Sequence, residues 1–315
     1  MVHAVTQVGT GRGPILVTGG SGQLAAAIMA LAGGRNLVRA GRPEFDFDRP
    51  DELPALLARL APSLVVNAAA YTAVDRAEAD AEAAARANTE GPATLARYCA
   101  QAGIPLIHVS TDYVFDGDKG APYVEEDAPN PTGVYGATKL AGERAVLAAC
   151  PRAIVLRTSW VYGATGRNFV LTMLNAARKT DRLRVVADQI GCPTATQDLA
   201  AAILAIADRL AAEGWKPEFA GVFHAAGSGW TSWHGLAEAV FQAAARHGGP
   251  QPVVEAIATA DWPTPVRRPP DSRLDCGRLA RVFGLRLPDW RHSVAVTVDA
   301  VFCDDPIPLH SALTV

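Results

Sequence analysis

A tyrosine and a lysine stand four residues apart in the string Tyr135-Gly136-Ala137-Thr138-Lys139. On a helix that spacing puts a phenol and an ammonium on one face. A phenol titrates near pKa ~10 and is a weak acid at neutral pH, and a neighbouring cation lowers that value. The pair suits proton donation to an oxygen that gains negative charge. A run ending in Ser110-Thr111-Asp112-Tyr113 precedes it, and Thr111 offers a hydroxyl to the same oxygen. Without that chemistry, Tyr135 and Lys139 are an ordinary surface pair, and Asp112 caps the loop after its strand.

Upstream, Gly20-x-Gly22-x-x-Ala25 follows an apolar run at 14–18 and opens a helical pattern at 23–31. Glycines there let the backbone approach a pyrophosphate, while the small Ala25 allows close helix–strand packing. The helix N-terminus adds N–H donors and a positive dipole end. A glycine triplet alone is weak, but this one lies between strand and helix, where a dinucleotide fingerprint belongs. About twenty residues on, an NAD site usually shows Asp or Glu. This chain has Gly41-Arg42, and an arginine suits the 2′-phosphate of NADP. Arg39 competes for that role, and a solvated loop arginine is the bland alternative.

Particular elements must hold these groups. Segments 14–18, 36–40, 63–67, 104–110 and 153–158 read as strands. Segments 23–31, 74–102 and 138–149 read as helices, with another starting at an Asp48 cap and ending near 61. Such alternation closes as a parallel sheet with helices on both faces, a Rossmann-type doubly wound α/β fold with ligands at the C-terminal strand edge. After Trp160 the regularity fades into Gly-, Pro- and Trp-rich stretches at 191–194 and 261–270. The expected organisation is a disordered or extended tail at 1–13 and a cofactor-binding domain at 14–165. Segments near 190–228 return to that domain, including a strand at 221–226. A smaller substrate-binding domain takes 166–189 and 229–305.

The chain has 315 residues, 49% hydrophobic and 19% charged, enough to bury a core without disulfide or metal staples. A net charge of −3 lacks the basic excess that nucleic-acid binding draws on. No apolar stretch is long enough to span a bilayer and no signal-peptide pattern opens the chain, so a cytoplasmic location is expected. Five cysteines (Cys99, Cys150, Cys192, Cys276, Cys303) without CxxC spacing read as small buried hydrophobes in a reducing compartment. No histidine pair has metal-ligand spacing, and no metal is expected.

The turn TGGSGQL at 18–24, the NAAA strand end at 67–70 and YxxxK together resemble the extended short-chain dehydrogenase/reductase superfamily. Within it the chain is similar to the dTDP-4-dehydrorhamnose reductase family. The strings are NAAAYTAVD at 67–75, STDYVF at 110–115, YGATKLAGE at 135–143, RTSWVY at 157–162 and DQIGCPT at 188–194. RPPDSRL at 268–274 and LPDWR at 287–291 continue the match. The resemblance implies reduction of the 4-keto group of dTDP-4-dehydro-β-L-rhamnose by NADPH, or by NADH. It implies Tyr135 as proton donor, Lys139 lowering the phenol pKa and holding the nicotinamide ribose, and Thr111 orienting the carbonyl. Asp112 and Trp160 would meet the sugar. Gly19, Gly22, Gln23 and Leu24 would hold the pyrophosphate, Asp46 and Phe47 the adenine, and Ala68, Ala69 and Ala70 the nucleotide side of the pocket.

One departure bears on assembly. Some relatives are bridged as dimers by magnesium on glutamates, one of them from the first helix. Here segment 23–31 has no acidic residue, Ala27 stands at that position, and Gln197 replaces another ligand. A monomer or weak homodimer is therefore expected. Two other functions fit the same superfamily: a nucleotide-sugar epimerase or dehydratase that retains its cofactor, and a non-catalytic NADP-binding regulatory subunit.

Overall fold

The β-branched run Ile15–Thr18 and its apolar counterparts cannot satisfy their backbone alone, so they pair, and buried strands of this composition pair in parallel. The computed structural model describes residues 13–303, together with the backbone of His3 and Ala4. A seven-stranded sheet forms its centre. Its strands are β1 (His3–Ala4), β2 (Ile15–Thr18), β3 (Leu37–Ala40), β4 (Leu64–Asn67), β5 (Leu106–Thr111), β6 (Ala153–Thr158) and β7 (Gly221–His224), in the order β1-β3-β2-β4-β5-β6-β7. All pairs are parallel except β1 with β3, where His3 and Ala4 add an antiparallel edge. The rest of the expected tail at 1–12 lies outside the described residues.

Each face of the sheet has its own apolar core. On one, Ala25 and Ile28 of helix Gln23–Ala30 meet Leu199, Ile203 and Ile206 of helix Thr196–Glu213. On the other, Leu53, Leu56 and Leu57 meet Leu95, Cys99 and Val146. A separate cluster lies outside the sheet. It joins Val170 and Leu174 to Leu236, Val240, Trp290 and Val298, from helices Phe169–Ala176, Trp233–Ala245 and Trp290–Cys303. A parallel pair, Arg182–Val186 with Val253–Ile257, packs with them.

Three elements differ from the sequence reading. The continuous helix expected over 74–102 is broken into Val74–Ala77, Ala81–Ala85, a π-helical turn Arg86–Glu90, and Gly91–Ala102. Asp80 leaves the helical region (φ −114°, ψ 41°), and its carboxylate accepts from Tyr71 Oη at 2.9 Å and Arg76 Nε at 2.8 Å. Pro92 has no N–H to give the carbonyl of Asn88, which favours widening the preceding turn. Gly142 packs on that carbonyl so closely that a Cβ there would sit 1.9 Å from it.

The expected Asp48 cap is also absent. A 3₁₀ turn, Pro50–Glu52, precedes helix Leu53–Leu60, and Asp48 turns to arginines instead. The helix expected from 138 starts earlier, at Val134, so Tyr135 lies in its first turn. Its first N–H, from Val134, donates to Glu78 Oε1 at 2.7 Å, a cap from another element. The cysteines are free. Cys99, Cys150 and Cys192 are buried as expected, Cys276 is half-buried, and Cys303 is exposed.

Candidate active site

Helix Val134–Ala149 lies against the end of β5, and it carries Tyr135, Lys139 and Glu143 at successive four-residue steps. Such steps stack side chains on one face. Lys139 is 2% exposed, and its Nζ donates to the carbonyl of Val109 at 2.7 Å. Burial lowers its pKa to about 8, with the Glu143 carboxylate opposing. Glu143 accepts from Ser110 Oγ at 2.5 Å and from Arg157 Nε and Nη2 at 3.0 and 2.7 Å. The Arg157 guanidinium lies 5.0 Å from the Phe115 ring centre. This buried charge system fixes the floor beneath the lysine.

The Tyr135 phenol is packed edge-on against Tyr113, with ring centres 5.5 Å apart. Burial pushes its pKa above the ordinary tyrosine value, and a hydrogen bond with Thr111 works the other way. The expected lowering by Lys139 does not dominate: burial among protein groups is the largest influence on the phenol. Thr111 ends β5. Its Oγ1 donates to Asp112 Oδ1 at 3.0 Å and accepts from the Tyr113 N–H at 3.2 Å. Asp112 is buried and also accepts from Ser159 Oγ at 3.0 Å and from Ser272. Desolvation raises its pKa, and those hydroxyls hold it down.

A cavity of about 960 Å³ runs from this corner along the strand ends. Its wall includes Tyr135, Lys139, Thr111, Asp112, Ala68, Ala69, Ala70, Trp160 and the turn Gly19 to Leu24. In that turn Gly19 and Gly20 take φ of 114° and 42°. Gly41 presses against it, and a Cβ on Gly41 would stand 2.4 Å from the Gly20 Cα. Gly22 begins helix Gln23–Ala30 without a side-chain cap, so the first-turn N–H groups are not taken by a capping side chain. Uncapped donors in a glycine-lined cradle fit a pyrophosphate.

Farther along the wall stand Arg42, Phe45, Phe47 and Asp48. Phe45 and Phe47 meet edge to face at 5.1 Å. Arg42 is 67% exposed and bonds Asp46 Oδ1 at 2.8 Å and Asp48 Oδ2 at 2.6 Å. Asp46 is not part of the wall; it acts on the wall through Arg42. Arg39, the rival cation, lies within β3 opposite Val17 and is not a wall residue.

At the other end, Trp160 takes φ 46° and stacks flat on Trp233, with ring centres 3.5 Å apart and planes at 5°. Trp233 Nε1 donates to Gln189 Oε1 at 3.2 Å, and Gln189 and Asp188 both bond Thr259. Sequence reasoning missed Trp233, Tyr71 and Thr158, all on the wall. It also missed buried Asn88, which bonds both the N–H and carbonyl of Tyr71 and holds Thr138 Oγ1. A Glu four residues past Lys139 was the one available signal for the Glu143 system.

The family model for the RmlD substrate binding domain matches residues 13–303. A dTDP-4-dehydrorhamnose reductase of Sinorhizobium fredii is 44% identical over 291 residues, covering 92% of the chain and 98% of that protein. The crystal structure of a dTDP-4-dehydrorhamnose reductase from Clostridium acetobutylicum superposes with a TM-score of 0.84 at 34% identity, over 91% of this chain and 99% of that one. The Bacillus anthracis counterpart, solved in complex with NADP, gives 0.83 at 28% identity over 93% and 100%.

Proposed function

The chain belongs to the family of the RmlD substrate binding domain, and on that premise we propose that it reduces the 4-keto group of dTDP-4-dehydro-β-L-rhamnose to dTDP-L-rhamnose. NADPH is the reductant, with NADH also usable. The observation that carries this reading is one continuous cavity, with a glycine-lined cradle that fits a pyrophosphate at one part of its wall and Tyr135 beside the buried Thr111 and Lys139 at another. The bound nicotinamide supplies the hydride to the carbonyl carbon.

The chain's own residues manage the oxygen. Thr111 and Tyr135 share a hydrogen bond; with the sugar bound, Thr111 would turn the proton it gives Asp112 to the carbonyl oxygen alongside the Tyr135 hydroxyl, as that oxygen gains negative charge. Tyr135 gives its phenolic proton to that oxygen and becomes phenolate. An alkoxide is far more basic than a phenolate, so the transfer runs downhill even from a phenol whose pKa burial has raised. The Lys139 ammonium, held by Val109 and Glu143, stabilises the phenolate and bonds the ribose. Asp112 and Trp160 with Trp233 meet the sugar. Gly19, Gly22, Gln23 and Leu24 hold the pyrophosphate, Phe47 and Ala68 to Ala70 the nucleoside, and Arg42, oriented by Asp46, the 2′-phosphate. The cofactor part spans 14–165 with segments near 190–228, and the remainder of 166–305 covers the sugar.

Among the described residues no helix is long and apolar enough to cross a membrane. We take the enzyme to act in the cytoplasm as a monomer or weak homodimer.

The test is turnover. NADPH absorbance is followed with dTDP-4-dehydrorhamnose supplied, and the product is identified as dTDP-rhamnose. Wild type consumes the cofactor, and Tyr135→Phe loses ~100-fold or more in kcat. Consumption by neither overturns the reductase reading. Conversion of the sugar without net oxidation points to an epimerase.

A further inference from the structure

Two arginines from different elements meet the Asp48 carboxylate; Arg42 and Asp48 stand on the cavity wall, and Arg86 lies just behind it, reaching the wall through Asp48. Arg42 follows β3, and Arg86 opens the π-helical turn Arg86–Glu90. Asp48 lies between them, with Oδ2 accepting from Arg42 Nη2 at 2.6 Å and Oδ1 from Arg86 Nε at 2.8 Å. Arg42 spends its Nε on Asp46 at 2.8 Å, so its Nη2 is the atom turned toward Asp48. All three groups keep contact with water, with side-chain exposures of 67%, 43% and 40% for Arg42, Asp48 and Arg86. Ion pairs this exposed are weak and exchange readily for a better anion.

The better anion is a phosphate monoester. It has more acceptor oxygens than a carboxylate, carries more charge near neutral pH, and matches guanidinium forks. A carboxylate bridging two guanidiniums occupies the arrangement in which such a phosphate is held. We propose that Arg42 and Arg86 form a two-arginine clamp for the 2′-phosphate of NADPH, and that Asp48 is an internal stand-in for that phosphate. With NADH bound, Asp48 keeps both arginines neutralised. With NADPH bound, the phosphate takes the arginines and repels Asp48. Asp48 therefore narrows the preference for NADPH and lets one chain use either cofactor, and Arg86 is a specificity residue that no motif singles out. The inference rests on the cavity being a dinucleotide site.

The test is binding without sugar. NADPH and NADH are titrated onto the full chain by nicotinamide fluorescence, and the ratio Kd(NADH)/Kd(NADPH) is compared among variants. Asp48→Asn keeps size and drops charge, and the ratio should rise about fivefold or more. Arg86→Gln should lower it about fivefold, and Arg86→Lys, which keeps the charge but loses the fork, should fall between. Adenosine 2′,5′-bisphosphate competing against AMP should show the same shifts, and circular dichroism checks that each variant is folded. A ratio unmoved by Arg86→Gln and Arg86→Lys, or lowered by Asp48→Asn, overturns the clamp. Wild type binding neither dinucleotide overturns the dinucleotide reading itself; wild type that binds both but does not turn over the sugar leaves the clamp standing.

Discussion

In the proposed reaction the charge on Lys139 is set by burial and an anion that oppose each other. Desolvation pulls its pKa down to about 8 while Glu143 resists, so the ammonium is the main form at neutral pH and is lost above about 8. A step that needs the charged lysine must weaken as pH rises through that value. We expect kcat/KM to be level near neutrality and to fall on the alkaline side of about 8. In Lys139→Met that limb should vanish together with a loss of ~100-fold or more. A pH–rate profile of both proteins checks it, and an unchanged limb in the variant assigns the titration elsewhere. Tyr135 and Lys139 were legible in sequence because a four-residue step has one meaning on a helix, and Thr111 because it ends a strand run. Trp233 was not: it lies seventy-three residues beyond Trp160, and only packing puts the two rings face to face.

At the level of elements, the tyrosine helix is positioned by features its own sequence does not carry. Glu78 caps it from another segment, and Gly142 lets it settle onto the carbonyl of Asn88. Asn88 in turn holds Tyr71 within the loop after β4. Gly142→Ala improves intrinsic helix propensity, yet its new Cβ would lie 1.9 Å from that carbonyl oxygen. Overpacking of this kind should win, lowering stability by about 1–3 kcal/mol. Chemical denaturation measures it, and a stabilised variant would show that the two segments part freely. The sheet was legible because strand runs punctuated by glycine alternate with helical periods. The break in 74–102 was not, because an alanine-rich segment satisfies helix periodicity whether or not tertiary partners interrupt it. Asp80 and the π turn follow from partners on Tyr71, Arg76 and Thr138.

For the whole molecule, the cavity joins the strand ends to the cluster built by helices Phe169–Ala176, Trp233–Ala245 and Trp290–Cys303. A net charge of −3 draws no anion to the surface, so in the proposed function anionic ligands would be held by placed donors: the uncapped N-terminus at Gly22 and the arginines beside Asp48. Trp233 reaches the same cavity from the outer cluster and stacks on Trp160. Trp233→Ala should raise the KM for the nucleotide sugar about tenfold, in line with loss of an aromatic stack, while the Kd for NADPH moves little. Steady-state kinetics with parallel cofactor titrations read this out. A shift in NADPH affinity alone would move Trp233 to the cofactor side.

The sequence by itself determined the doubly wound sheet, the glycine cradle and the Tyr135–Lys139 pair, because each is written in local spacing that backbone geometry converts directly into position. It also carried the strings that mark the family. The tertiary structure alone decided which side chains sit beneath and across from those groups: Glu143 with Ser110 and Arg157, Asn88 with Tyr71, Trp233 on Trp160, and Asp48 between Arg42 and Arg86. Most of these contacts join residues far apart along the chain, and they are fixed by the packing of one layer against another. No periodicity records that.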